Sequence, residues 1–264
     1  VTGSDYTADL ELAIAAARSA GEAIVPAFHA GQEVRFKSPN QPVTDADLAA
    51  DRILRDLLLR DRPDYGWLSE ETRDSPARLE KERLWVVDPI DGTNSFVKGI
   101  PEFGISVALV DRGEVVVGVL FNPVTGEMYH ATAGGGAFLN GAPIHVSTTD
   151  TLGDARTLLG SRSDIRNGKL AAFEEEWTVT GLGSTAYKMA KVAEGVADAF
   201  VSSGPKAEWD VAAAALLVAE AGGRATDLLD RPFRYNQPDP SWRGVAATNG
   251  RLHQLVLALH PPAR

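Results

Sequence analysis

The chain has 264 residues, 44% of them apolar, no cysteine, and a formal net charge of −10, a size for one compact unit or two closely packed halves. The absence of cysteine excludes disulfides, thiolate catalysis and cysteine-ligated zinc or iron–sulfur sites, and the acidic balance argues against a nucleic-acid partner. A small phosphorylated substrate fits only where bound cations reverse the sign of the field locally. With Asp5, Asp9 and Glu11 near its start and no apolar run of the ~20 residues that cross a bilayer, the chain is expected to be cytoplasmic, with no membrane partner.

In chain order, Leu10, Ile14, Ala17, Ile24 and Phe28 recur at helical spacing, which predicts an amphipathic helix from about Asp5 to Phe28, ending near Gly31. A second helix follows Thr44, where Thr44-Asp45-Ala46-Asp47 has the form of a capping arrangement, and ends at Asp61 to Asp64. From Leu84 the pattern becomes β: LWVV, GISVALV and EVVVGVLF, then MYHATA and AFLNGAPI, with turns at Asp111 to Gly113, Gly134 to Gly136 and Asn140-Gly141. Beyond Ser147 the periods alternate. TLLGS and ADAFVSS read as strands; Leu170 to Glu176, Thr185 to Glu194 and Val211 to Ala221 read as helices. RATDLL and GVAATN are further strands, and a last helix covers Arg251 to Leu259. The expected organisation is an N-terminal α+β half over residues 1–146 and a C-terminal α/β half over 147–264.

Carboxylates gather at four places. Glu70-Glu71 follow Trp67-Leu68; Asp88 and Asp91 follow LWVV; Asp45 and Asp47 open a helix; Asp210 follows Trp209 at the head of VAAAALLVAEAGG. Taken singly, each has a plain structural reading. Acids favour helix N-termini, Asp-Gly favours turns, and a Glu pair favours solvent. Taken together, they follow strand ends or open helices, where α/β proteins place ligands, and oxygen-only donors suit Mg²⁺. Gly92-Thr93 adds a turn whose backbone N–H groups suit phosphate. His29, His130, His145, His253 and His260 show no metal-ligand spacing, which leaves metal-assisted phosphoryl transfer as the leading chemistry.

WVVDPIDGTNSF, the upstream Glu70-Glu71, and Trp209-Asp210 opening a helix that ends in Ala-Gly-Gly together resemble the inositol monophosphatase superfamily of Mg²⁺-dependent, lithium-sensitive phosphatases, over nearly the whole chain. The resemblance implies a layered αβαβα sandwich of the inositol monophosphatase and sugar phosphatase type, and a homodimer. It implies two or three Mg²⁺ ions: one on Glu70, Asp88 and the Ile90 carbonyl, a second on Asp88, Asp91 and Asp210, and a weaker third on Glu70. Asp47 would bond Thr93, and the phosphate would rest on Gly92 and Thr93. Glu70 and Thr93 would orient a water for in-line attack, with no phosphoenzyme.

Residues 161–208 bear on the substrate. Inositol-specific members carry a glutamate several residues before Trp-Asp, whereas here the segment is Val201-Ser202-Ser203-Gly204-Pro205. VAEGVADAFVSSGPKAEWD, Ser161-Arg162-Ser163 and Gly183-Ser184 with Lys188 are similar to the 3'(2'),5'-bisphosphate nucleotidases. The sequence thus favours 3'-phosphoadenosine 5'-phosphate, with Asp91, Gly92, Thr93, Ser161, Gly183, Ser184, Glu208 and Asp210 as substrate contacts. The alternatives are inositol-1-phosphate or another sugar or histidinol phosphate, or a non-catalytic metal-binding regulatory protein on the same fold. An aspartyl-nucleophile phosphatase needs its two aspartates two apart; Asp88 and Asp91 are three apart.

Overall fold

The computed structural model describes residues 6–30, 34–38, 41–150 and 155–260. Two helices come first, α1 (Thr7–Ala30) and α2 (Asp45–Asp61), separated by the short ribbon β1 (Arg35–Ser38) and β2 (Gln41–Val43). A seven-stranded sheet follows: β3 (Gly66–Ser69), β4 (Arg83–Asp91), β5 (Gly104–Asp111), β6 (Glu114–Asn122), β7 (Glu127–Thr132), β8 (Gly136–Leu139) and β9 (Ala142–Ile144), in spatial order of sequence. Only β3 and β4 pair in parallel; the rest is an antiparallel meander. The one-turn helix α3 (Thr93–Val97) lies between β4 and β5.

The remaining chain builds a five-stranded sheet of order β11-β10-β12-β14-β13 from β10 (Arg156–Gly160), β11 (Trp177–Gly181), β12 (Ala199–Ala207), β13 (Arg224–Thr226) and β14 (Ser241–Thr248). Its helices are α4 (Arg162–Arg166), α5 (Thr185–Ala193), α6 (Glu208–Glu220) and α7 (His253–Leu259).

The strand period decides the layering, because successive side chains leave opposite faces of a sheet. On β4 and β5, Trp85, Val87, Ile105, Val107 and Leu109 pack with Ala13, Ala17, Leu54 and Leu58 of α1 and α2. The alternate residues Leu84, Val86, Ala108 and Val110 face Met189, Val192, Leu217 and Val218 of α5 and α6, together with Phe200, Val245 and Ala247 of the second sheet. The far face of that sheet, Leu158, Ala199, Val201 and Ala246, packs on Phe173, Trp177, Leu252 and Val256. Five layers result, αβαβα, as the resemblance implied. Gly118 on β6 lets the middle layer sit close, since a Cβ there would come within 2.6 Å of the Ala213 carbonyl oxygen of α6.

Four local expectations change. The LWVV strand does not stop at Val87; β4 runs on through Asp91. Leu170 to Glu176 is no α-helix: only Ala171–Phe173 form a 3₁₀ turn, and the chain then enters β11, which pairs in parallel with β10 and alternates Trp177 and Val179, the more buried, with exposed Thr178 and Thr180. RATDLL is a strand only over Arg224–Thr226, because Asp227 accepts the Leu229 and Arg231 amides and folds the chain into a turn. ADAFVSS continues through Gly204-Pro205 to Ala207, with a register shift between Ser202 and Pro205 that accommodates the proline. The first helix begins, among the described residues, at Thr7; the Asp5 start and Gly31 end lie outside them.

Candidate active site

The site forms where the ends of β3 and β4 meet the N-termini of α2, α3, α5 and α6. Residues three apart on a regular strand point to opposite faces. Opposite β5, however, Asp88 pairs with Ser106 and Asp91 with Gly104, so β4 takes three steps where its partner takes two. This bulge turns both carboxylates to one side. Asp210, in the first turn of α6, joins them, and one carboxylate oxygen from each of the three lies within 4.8 Å of the others. Glu70, on the first residue after β3, lines the same cavity of about 780 Å³ with Asp88, Asp91, Thr93 and Asp210. Parallel pairing of Ser69 with Val87 brings Glu70 to this end of the sheet, and its amide donates to the Val87 carbonyl at 3.2 Å.

Hydrogen bonds fix these acids. The Asp88 Oδ1 accepts the Ile90 amide at 3.0 Å. Asp91 accepts the Ser184 hydroxyl at 2.5 Å and the Thr185 and Ala186 amides at 3.2 and 2.5 Å, so it sits at the head of α5. Ser184 in turn accepts the Tyr187 amide at 2.9 Å and caps that helix. Asp210 Oδ2 accepts the Ala207 amide at 2.8 Å. Asp47 uses Oδ2 to accept the Thr44 amide at 2.7 Å and the Thr44 hydroxyl at 2.6 Å, while Oδ1 faces the Thr93 hydroxyl at 3.1 Å. Asp47 and Asp210 therefore each cap a helix, Asp47 while bonding Thr93 and Asp210 while lying among the clustered acids. The Thr93 hydroxyl also stands 3.1 Å from the Ile90 carbonyl. Having one proton for two acceptors, it keeps a lone pair for a further donor such as water.

The electrostatics are those of a cation site. Burial pushes the Asp88 carboxyl well above the usual carboxylate range, with Glu70, Asp91 and Asp210 adding to the rise. Burial and Asp91 push Asp210 up to about 7, and burial raises Asp47. Carboxylates this close cannot all ionise without a compensating positive charge. Oxygen donors from several carboxylates match the preference of a hard divalent cation, so the residues present fit a metal of that class.

The other expected contacts divide. Gly92 has φ +101°, and a Cβ there would come within 2.9 Å of the Glu102 carbonyl oxygen, so glycine is required for both torsion and space. Gly92, Ser161, Gly183 and Ser184 line the cavity. The Gly183 amide already donates to Glu102 at 2.7 Å, and the Ser161 hydroxyl caps α4 by accepting the Asp164 amide at 3.1 Å. Glu208 departs from its expected place as a substrate contact. It is fully buried, and its two oxygens accept the Asn236 and Gln237 amides at 2.8 and 2.9 Å. The physical reason is the helix period: two residues along α6 rotate a side chain by roughly 200°, so Glu208 and Asp210 face opposite ways.

Sequence reasoning missed two groups. The Thr185 and Ala186 amides that hold Asp91 were signalled by Ser184-Thr185 before an apolar periodic run, an N-cap pattern. Glu102 had no such signal. Its two oxygens accept from the two terminal guanidinium nitrogens of Arg162, in α4, at 2.6 and 2.7 Å. Lys188 is buried beneath the cavity, donating to the Leu182 carbonyl at 3.2 Å and to the Ser184 carbonyl, and burial lowers its ammonium to about 8.

Comparison with known proteins agrees with this geometry. Residues 5–262 match the sequence profile of the inositol monophosphatase family. The chain is similar to the inositol-1-monophosphatase of Rhizobium meliloti, with 40% identity over 227 residues covering 83% of this chain and 85% of that one. The structure of Thermotoga maritima IMPase superposes with a TM-score of 0.85 at 32% identity, covering 96% of both chains. CysQ from Bacteroides thetaiotaomicron, a bacterial member of the inositol monophosphatase family, gives 0.77 at 29% identity, covering 94% of this chain and 99% of that one. The chain therefore belongs to the inositol monophosphatase family and is a phosphatase of that family.

Proposed function

We propose that the protein hydrolyses inositol-1-phosphate or a closely similar small polyol phosphate with Mg²⁺ as cofactor. The observation that carries the chemistry is the convergence of Asp88, Asp91 and Asp210 beside the Thr93–Asp47 pair in one cavity. The substrate rests on the names of the relatives. They favour inositol monophosphate over 3'-phosphoadenosine 5'-phosphate, which residues 161–208 had suggested. The same family membership supports two or three Mg²⁺ ions, inhibition by lithium and a homodimeric assembly, all carried as parts of this proposal.

Mg²⁺ held by Glu70, Asp88, Asp91 and Asp210 would supply the positive charge that binds phosphoryl oxygens and acidifies water. The chain supplies the rest. Asp47 orients the Thr93 hydroxyl, whose oxygen accepts a hydrogen bond from the attacking water, and Glu70 faces the same cavity as a proton acceptor. The Gly92 and Thr93 amides, at the open end of α3, suit the phosphate oxygens. Asp91, held at the head of α5, keeps the leaving-group side in register.

A bisphosphate nucleotidase remains the second reading, favoured by one observation: Lys98, Arg166, Lys188 and Lys206 line the cavity around the acids. Phosphate release from inositol-1-phosphate, fructose bisphosphate, histidinol phosphate and 3'-phosphoadenosine 5'-phosphate, each with Mg²⁺ and with chelator, tests both. Inositol-1-phosphate is expected to give the highest kcat/KM, and activity should vanish with chelator. A higher value for the bisphosphate nucleotide overturns the first reading in favour of the second. No release from any ester would leave the non-catalytic alternative.

A further inference from the structure

We infer that Asp51 is a positioning residue for Glu70, and that α2 acts as a rail setting the two water-orienting groups, Glu70 and Thr93, at a fixed separation. The inference rests on the phosphatase reading of the site and extends it to a residue outside the acid cluster.

Asp47 and Asp51 are four apart on α2 and so share one face of the helix. That face is buried: Asp47 is 1% exposed and Asp51 7%. A buried carboxylate needs partners for its oxygens, and the two residues find theirs at different parts of the site. Asp47 reaches the Thr93 hydroxyl at 3.1 Å. Asp51 takes the Ser69 hydroxyl on Oδ1 at 2.5 Å and the Thr72 hydroxyl on Oδ2 at 2.7 Å. Ser69 and Thr72 bracket Glu70-Glu71. Ser69 also accepts the Glu71 amide at 3.4 Å, so the turn carrying Glu70 is clipped on both sides.

The clip is needed because β3 ends at Ser69 and the chain leaves the sheet there. Beyond it, the Glu70 amide bonds the Val87 carbonyl, which ties the backbone of the turn to β4. A metal-ligating or water-orienting carboxylate must be held to within about 0.5 Å. The two hydroxyl bonds to Asp51 tie the same turn to α2. The same rigid turn of helix already sets Thr93 through Asp47, so the separation of Glu70 from Thr93 is set by the helix pitch.

The test uses the 264-residue chain in three forms: Asp51→Ala, Asp51→Asn, and the double variant Ser69→Ala/Thr72→Val. Each is followed by Mg²⁺ titration calorimetry without substrate, by steady-state kinetics on inositol-1-phosphate, and by thermal unfolding in chelator. Asp51→Ala is expected to weaken Mg²⁺ binding and lower kcat by about 10- to 100-fold, with KM little changed. The double variant should reproduce the loss. Asp51→Asn, whose amide can accept one hydroxyl bond and donate the other, should recover most of it.

A merely structural Asp51 would lower the unfolding temperature in chelator while leaving Mg²⁺ affinity and kcat of the folded protein unchanged, and that result overturns the inference. Should Asp51→Ala fail to fold, the double variant removes the same bonds and decides alone; wild-type Mg²⁺ affinity and kcat in it overturn the proposal. A wild-type protein inactive on every ester overturns the phosphatase reading, yet the calorimetric comparison still tests Asp51. Wild-type protein that binds no Mg²⁺ overturns both.

Discussion

The hydroxyl of Thr93 stands 3.1 Å from a carboxylate oxygen of Asp47, 46 residues away in the chain. The other oxygen of Asp47 caps α2 through Thr44, so one side chain fixes a helix start and orients a hydroxyl that lines the cavity. Thr93→Val removes the hydroxyl at constant shape. It should lower kcat by about 100-fold or more, with the unfolding temperature near wild type. Asp47→Ala should lose activity similarly and also lower stability by about 1 kcal/mol through the lost cap. Steady-state phosphate release and calorimetric unfolding separate the two effects.

Asp210 carries charge that its neighbours repel. Asp210→Asn should lower kcat by about 100- to 1,000-fold and abolish the rise in unfolding temperature that Mg²⁺ produces in the wild type. In chelator, the variant should be at least as stable as wild type, because repulsion from Asp91 is removed while the amide oxygen can still accept the Ala207 N–H. A large loss of stability in chelator would contradict this account of the cluster.

The raised carboxyls make metal-free stability depend on pH. An acid whose folded pKa lies above its ordinary value stabilises the fold fully below that ordinary value and loses the contribution as pH rises through the folded value. Asp210 sits at about 7 and Asp88 is well raised, both mainly by burial. Unfolding temperature in chelator, measured against Asp210→Asn so that the opposing buried histidines common to both proteins cancel, is therefore expected to fall between pH 5 and pH 8. Added Mg²⁺ should stabilise more at pH 8 than at pH 5, since the ligands must first lose their protons. Scanning calorimetry at the two pH values, with and without Mg²⁺, checks both signs.

Ser184 joins α5 to the acid cluster. Its hydroxyl donates to Asp91 and accepts the Tyr187 amide. Ser184→Ala should cost about 1 kcal/mol of stability as a lost cap and weaken Mg²⁺ binding by about tenfold, as removal of a ligand's hydrogen-bond partner does. Titration calorimetry reads the second effect independently of turnover.

The class of chemistry and most of the layers are legible along the chain. Asp88-Pro89-Ile90-Asp91-Gly92-Thr93 and Trp209-Asp210 carry the acids and the anion turn in runs short enough to read. Helical periods in α1, α2, α5 and α6, and the apolar runs of β4, β5 and β6, follow from repeats that burial imposes on one face. Where that imposition is weak, legibility fails: α4 and the end of β12 are short or half-exposed, with conformation set by neighbours, and the alternation in β11 spans five residues only.

How the groups meet depends on packing between distant elements. The extra residue in β4 turns Asp88 and Asp91 to one side, which depends on the register of β5. Asp47 finds Thr93, and Asp51 finds Ser69 and Thr72, because α2 packs against the strand ends. Glu208, two residues before Asp210, is carried to the opposite side of α6 by the helical twist. Each of these is a matter of direction between elements distant in the chain, and local sequence preference contains no such information, since it describes one segment at a time.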